Sequence, residues 1–427
     1  MKSSSGQFIY EPPAIEPTGS LLYAEHLKLT AKSHMAEFAG YIMPLWYSSI
    51  TAEHNAVRNT AGLFDCTHMG ILEVSGSDAA DFLNTVTTNE IKDLQIGRAK
   101  YSYILDAAGS ILDDIIIYRR KTDNFMLVVN AANNLKIKSY FEGLLNQTVV
   151  IDAQNSERKL QYSPTITDLR NPDSPTDSFA DIALQGPASI QILSLLIADE
   201  RIQTKMANLM PFHFIETSLS DFDCIISRTG YTGSKVGFEL FVHPTKAPQI
   251  WQRLLEKGEP LGLVPCGLGA RDTLRVEAGL PLYGHELAGA LQISGIEAGY
   301  SWAVKFQKEF FIGKKTLKAK ADKSRMKIAR MELPGQKGIR PIRQNDAVLD
   351  TKGKCIGWVT SAAKVNEKQI ALIYAEKETL QKCQNVGIYY LARSKSQIAQ
   401  GRGKKVDKGQ TLQADIVGTV LSRFAKF

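Results

Sequence analysis

Apolar runs of strand length, parted by turns and helical stretches, recur along this chain in two similar blocks, and that rhythm limits the fold more than any other feature. Between about residues 70 and 152, the segments 71–74, 101–105, 111–118 and 125–130 read as strands and 78–83 as the start of a helix. The turn Ala107-Ala108-Gly109-Ser110 should join two of these strands as a hairpin. From about 155 to 285 the rhythm repeats, with strands at 182–184, 224–228 and 238–242 and helices at 187–197 and 247–257. Two α+β units in tandem, with largely antiparallel sheets, follow from that pattern. Beyond about residue 318 helical periodicity fades. Short strands bounded by glycine are expected near Val348 and at 356–360, 370–374, 386–392 and 416–421, which makes a small all-β terminal domain.

A chain of 427 residues exceeds what one core serves, so two or three domains are expected. No apolar run approaches the roughly 20 residues that cross a bilayer, and no membrane span is expected. Residues 1–20 carry Ser3-Ser4-Ser5 and prolines 12, 13 and 17. They lack the basic start and apolar stretch of a secretory signal and the arginines of a transit peptide, and read as a flexible lead-in. Five cysteines, far apart and without a CxxC pair, point to reduced thiols in a cytoplasm rather than to zinc or disulfides. Charge is uneven: residues 1–310 hold 26 Lys+Arg against 35 Asp+Glu, whereas residues 311–427 hold 25 against 9. A basic terminal region of this kind attracts a nucleic acid, an anionic small ligand or an acidic carrier protein, or is simply a solvated lysine-rich surface.

Chemistry can reside in few places. No GxGxxG, GxxxxGK[ST], HExxH or GxSxG segment is present, and the seven histidines do not fall at metal-ligand spacing. In Ile111-Leu-Asp113-Asp114-Ile-Ile-Ile117, neighbouring strand residues point to opposite faces, so a sheet with one buried side draws one carboxylate into an apolar setting. The other reading is a pair of partly exposed carboxylates beside a turn. In Ser227-Arg-Thr-Gly-Tyr231-Thr-Gly233, followed by Gly237-Phe-Glu239-Leu-Phe-Val242, Glu239 faces away from Phe238 and Leu240. It is either a bidentate acceptor for an aminopyrimidine-type ring or an outward glutamate. Arg271 and Arg275, four apart, could grip an anion or bridge to Asp272 and Glu277. Trp302 is expected in a strand, packed in a core or stacked on a flat ligand.

The order of these segments is more specific than any one of them. HLKLTAKSHMAEFAGYIMPLWYSSITAEHNAVRNTAGLFDCTHMG (26–70), AKYSYILDAAGSILDDIIIY (99–118), VVNAANN (128–134), LQGP (184–187), SRTGYTG (227–233), GLGARDTLRVEAGLPLYGHEL (267–287) and IEAGYSWAVKF (296–306) resemble the glycine cleavage T-protein family, the aminomethyltransferases. The resemblance implies a three-domain, cloverleaf-like ring around a central folate cavity, with two α+β domains holding ferredoxin-like elements and a C-terminal all-β barrel or jelly roll. The implied domains are 21–72 with 155–283, 73–154 with 284–318, and 319–427.

It implies tetrahydrofolate as cofactor, 5,10-methylenetetrahydrofolate and ammonia as products, and a lipoylated, H-protein-like carrier as partner, with nucleic acid unlikely. Asp114 matches the catalytic aspartate, Glu239 the pterin-edge carboxylate and Arg271 the arginine of the folate site. Tyr101, Tyr231 and Trp302 match pocket aromatics, with Asn130 and Met69 as neighbours. Between Gly233 and Glu239 the chain reads Ser-Lys-Val-Gly-Phe, where the family usually has an acidic pair in a shorter loop. Two alternatives stay open: folate-dependent demethylation of a small metabolite, and a non-enzymatic folate-binding maturation factor. The latter normally carries a cysteine where this chain reads Gly-Leu-Pro-Leu-Tyr-Gly-His-Glu at 279–286.

Overall fold

The computed structural model describes residues 6–171, 177–335, 338–399 and 401–427. The chain divides into two compact units, Met1–Arg271 with Trp302–Ala319 and Asp272–Ser301 with Lys320–Phe427. Residues 1–5 of the expected lead-in lie outside the described residues. The rest of it makes contacts: the Phe8 N–H donates to Asp106 (3.2 Å), the Phe8 ring meets Tyr140 edge-on, and Thr18–Gly19 pairs with Tyr41 and Ile42.

The first unit is built on two large sheets, with a third of three short strands, Thr18–Gly19, Tyr41–Pro44 and Met35–Phe38, beside them in sequence. One has six strands in the order Phe214–Leu219, Phe222–Ser227, Gly237–Val242, Ala180–Gln185, Ala61–Asp65 and Leu263–Cys266. All its neighbours are antiparallel except the last pair. The other sheet has five antiparallel strands, Arg98–Leu105, Ile111–Lys121, Asn124–Val129, Gly70–Ser75 and Thr165–Asp168.

Alternation along each strand sorts the side chains into three cores. Ile182, Leu184, Phe238 and Leu240 pack against Ile192, Met206, Ile250 and Trp251 of the helices Ser189–Ser194, Glu200–Ala207 and Ala247–Gly258. Leu72, Ile115, Ile117 and Leu127 pack against Phe82, Leu83 and Phe141 of the helices Ala79–Val86 and Asn134–Leu145. The third core lies between the sheets, where Ile71, Tyr118 and Met126 meet Phe214, Ile225 and Phe241. The inner faces are thus largely closed off from water, and a polar group buried there costs free energy unless a partner or a ligand meets it.

In the second unit six antiparallel strands close into a barrel: Met326–Leu333, Lys368–Glu376, Cys355–Val365, Ala347–Leu349, Asn385–Tyr389 and Ile416–Leu421. This is the expected all-β C-terminal domain. Its core gathers Met331, Val348, Ile356, Val359, Ile373 and Ile388.

Three expectations need correction. The helix expected at 187–197 is the short Ser189–Ser194, followed by a second helix, Glu200–Ala207. The strand expected at 386–392 ends at Tyr389. Trp302 sits on the 3-10 turn Ser301–Ala303 and is 48% exposed, because the glycine-rich stretch before it breaks the chain into turns rather than extending it.

Candidate active site

Every candidate residue except Arg275 lies in the first unit, and three of them, Tyr101, Asp114 and Glu239, stand on strands of its two large sheets. On Ile111–Lys121 the two-residue period turns Ile115 and Ile117 toward the helices and Ile116 and Tyr118 toward the facing sheet, and it divides the two aspartates in the same way. Asp113, on the helix side, is fully buried and accepts hydrogen bonds from the Asn130 backbone N–H (3.0 Å), Asn130 Nδ2 (2.8 Å) and Asn133 Nδ2 (2.5 Å). Asp114, on the inner side, is half-buried and accepts from the Tyr101 hydroxyl (2.9 Å) and Asn130 Nδ2 (3.0 Å). Both readings of the pair were partly right: one carboxylate is engulfed and the other keeps partial access.

Burial, and then the charge of Asp114, push Asp113 up to about 7 against the Asn130 and Asn133 hydrogen bonds. Burial also raises Asp114, opposed by the Tyr101 and Asn130 bonds. Near neutral pH the pair therefore holds one negative charge more readily than two. Asn130, expected beside the cofactor, acts here as the brace that holds both carboxylates.

Four residues along the same face from Asp114, roughly 13 Å of strand, Tyr118 reaches the facing sheet. Its hydroxyl lies 3.4 Å from Glu239 Oε2 and 3.3 Å from Thr229 Oγ1. Thr229 donates to the same Glu239 oxygen (2.5 Å). Glu239 does face away from Phe238 and Leu240, as its place in the strand predicts, but that side is a second core and the carboxylate is only 9% exposed. Burial raises it, while Thr229, Arg271 and Tyr118 pull it down. No protein donor reaches Glu239 Oε1 among the described residues.

Arg271 donates to Cys66 Sγ (2.6 Å) and stands 5.5 Å from the Tyr231 ring, which brings two more expected residues together. Its charge also acts on Glu239 and Asp181. Met69 packs at the edge of the inter-sheet core. Trp302 stands 5.8 Å from Tyr101, ring to ring, so it joins the Asp114 end of the seam from the surface. Arg275 does not join an anion grip, for its buried guanidinium is committed to Asp272, Glu286 and Ser361 (2.8 Å each).

Sequence reasoning passed over Tyr118, Thr229, Asn133 and Asp181. The motifs that hold Thr229 and Asn133 were visible, but nothing in them singled out these two side chains. Asp181 stands in the apolar run Phe-Ala-Asp-Ile-Ala-Leu. It is 1% exposed, its Oδ1 has no hydrogen-bond partner, and burial holds it well above the usual carboxylate range. Among the described residues no group of three or more His, Cys, Asp or Glu side chains could hold a metal ion, and no helix is long and apolar enough to cross a membrane.

Carboxylates set on facing sheets, dressed with hydroxyl and amide donors and flanked by an arginine, suit an enzyme that orients charged or nitrogen-bearing groups. Residues 22–308, about two thirds of the chain, match the family model described as the GCVT N-terminal domain. The chain belongs to that family of transferases.

Within it, relatives from several bacteria are named aminomethyltransferase. The chain is 39% identical to the aminomethyltransferase of Exiguobacterium sibiricum over 355 residues, 81% of this chain and 88% of the relative. It is 41% identical to that of Streptomyces avermitilis over 351 residues, 81% and 86% of the two chains. It also resembles the crystal structure of glycine cleavage system aminomethyltransferase T from Bartonella henselae, with a TM-score of 0.71 and 29% identity, over 88% of this chain and 94% of that one. The relatives are enzymes, which removes the non-enzymatic alternative.

Proposed function

We propose that this enzyme transfers the methylene of a carrier-bound aminomethyl group to tetrahydrofolate, releasing ammonia, as the aminomethyltransferase of a glycine cleavage system. The observation that carries the reading is Asp114, a carboxylate on an enclosed sheet face held by Tyr101 and Asn130, with Glu239 and Arg271 at the other end of the same seam. The residues suit a pterin: the open Oε1 of Glu239 and the unpartnered Oδ1 of Asp181 are acceptors for a ring edge rich in N–H groups.

Tetrahydrofolate, when bound, supplies the amine that takes the methylene. Asp114 orients that amine and stabilises the positive charge that grows as the new C–N bond forms. Tyr101 and Asn130 fix the Asp114 carboxylate, so it need not reorganise during the reaction. Glu239 accepts from the ring edge, and Arg271 balances its charge. Tyr231, Trp302 and Met69 supply flat or apolar contact. Enclosure between the sheets keeps water from the transferred group. The donor is a lipoylated, H-protein-like carrier, the product is 5,10-methylenetetrahydrofolate, and the reaction belongs to the cytoplasm; neither membrane nor nucleic acid takes part.

The test is ammonia release from the protein, tetrahydrofolate and an aminomethylated lipoyl carrier. Asp114→Asn should cost about 100-fold or more in turnover, the scale of losing one preorganised electrostatic group, while tetrahydrofolate still binds. Glu239→Ala should weaken tetrahydrofolate binding. Full turnover by the Asp114 variant, or unchanged binding by the Glu239 variant, would defeat the reading. So would formation of methyltetrahydrofolate from a free methylated compound without the carrier.

A further inference from the structure

The basic last quarter of the chain has a concave place where its charge converges. Ala347 pairs with both Tyr389 and Trp358, so the segments 343–346 and 391–393 emerge from the barrel side by side. With residues 404–408 they surround a cleft of about 730 Å³. The cleft is shaped by the protein's own hydrogen bonds. Asp346, buried at 1% exposure, accepts from the backbone N–H groups of Arg343 and Leu391 (2.9 Å each) and from Arg393 Nη2 (2.8 Å), so one carboxylate locks two of the segments together. Trp358 donates its indole N–H to the Val406 carbonyl (2.9 Å), which pins the third.

Five cations line this space: Arg343, Arg393, Lys404, Lys405 and Lys408. The lining acids do not balance them. Asp346 is committed to Arg393, and Asp407 faces Lys405 at 3.1 Å. Lys408 has Glu376 at 3.0 Å. Arg343 and Lys404, both exposed, have no counter-ion among the described residues. Leu391, Val406 and Trp358 give the same cleft an apolar side.

A solvated lysine face would need no concavity, no locked backbone and no indole. An acidic protein partner buries on the order of 800 Å² of each surface, which suits a broad face better than a hole. The volume falls instead within the roughly 300–1,000 Å³ range of small-ligand sites. We propose that this cleft binds a small polyanion with an aromatic body, its ring against Trp358 and its row of phosphates or carboxylates over Arg343, Arg393 and Lys404. The cations act as side-chain donors and point charges, without a glycine-rich phosphate loop.

The experiment is calorimetric titration of the full-length protein at moderate salt, with ATP as the phosphate arm and pteroyl-triglutamate as the carboxylate arm. Saturable binding of either supports the site, and the tighter one names the source. Arg343→Glu with Lys404→Glu should weaken that binding at least tenfold while the unfolding midpoint holds. Lys352→Glu with Lys364→Glu, an equal charge reversal at exposed barrel positions outside the cleft, should change it less than twofold. The inference falls if neither probe binds, or if both reversals cost the same, since the general field would then explain the binding. It also falls if pyrophosphate alone matches ATP, or if an oligodeoxynucleotide binds more tightly than either probe.

Discussion

Buried carboxyls in this protein shift in opposite directions, according to what stands beside each group. Asp113 and Asp181, lacking a cation in contact, are driven up. Asp65 is just as buried, and burial alone would raise it too. The bond from His26 Nε2 (2.8 Å) and the His26 charge win instead and hold it at about 2. A carboxyl whose folded pKa lies below its unfolded value of about 3.9 adds stability above that pH and loses it as pH falls toward 2. Asp65→Asn should therefore cost about 2 kcal/mol at pH 7 and lessen the loss of stability between pH 4 and 2. Urea midpoints measured across that range check this, and parallel profiles for the two proteins would refute it. At this scale the sequence was legible where a charge interrupts an apolar run beside a turn motif, as at Asp114 and Glu239, but not at Asp181, which has no such motif beside it. It was silent where partners come from far along the chain, as His26 does for Asp65 and Tyr118 for Glu239.

Elements were readable where β-branched and aromatic residues cluster within one short run. Phe125 to Val129 and Phe238 to Val242 announce themselves as apolar strands, and the structure has them there. Ala61–Asp65 went unread because Ala61 and Gly62 are poor strand formers and leave only Leu63 and Phe64 as an apolar pair, and Leu263–Cys266 because Pro265 marks it as a turn until it is seen on a sheet edge. Met326–Leu333 carries Lys327 and Arg330 among its apolar residues, which hid the strand that closes the barrel. The Leu-Gln-Gly-Pro segment was conspicuous in sequence without a visible reason. The reason is Gly186, at φ +129°, where an added Cβ would lie 2.5 Å from the Thr60 carbonyl oxygen and 2.8 Å from Ala61 Cα. Both obstacles are backbone and cannot swing aside. Gly186→Ala should thus destabilise the first unit by about 3 kcal/mol, combining strain and overpacking. Chemical denaturation followed by the fluorescence of buried Trp251 would measure it, and a change under 1 kcal/mol would count against the geometry.

At the scale of the whole molecule, neither unit is one continuous stretch of chain, a property that no local pattern reveals. The second unit joins residues 272–301 to 320–427, and the buried Arg275 is the fastener, ion-paired to Glu286 and hydrogen-bonded to Ser361 on the barrel (2.8 Å each). Arg275→Ala would strand Glu286, 0% exposed, without its counter-ion, and should cost about 3–5 kcal/mol. A lower midpoint for barrel unfolding, reported by Trp358, is the expected sign; an unchanged midpoint would show that the two pieces are held by other means. The first unit is divided as well. It needs Trp302–Ala319, in which Lys308 donates to the Thr87 and Asn89 carbonyls (2.8 and 2.7 Å) and the Ile312 N–H to the Thr85 carbonyl (3.0 Å). During synthesis, a nascent chain with its first 271 residues outside the ribosome still lacks the piece that finishes this unit, and must wait through almost fifty further codons to obtain it. A premature stop anywhere before that piece leaves the first unit unfinished, so C-terminal truncations that cut into it should read as abrupt loss of folding rather than as graded trimming.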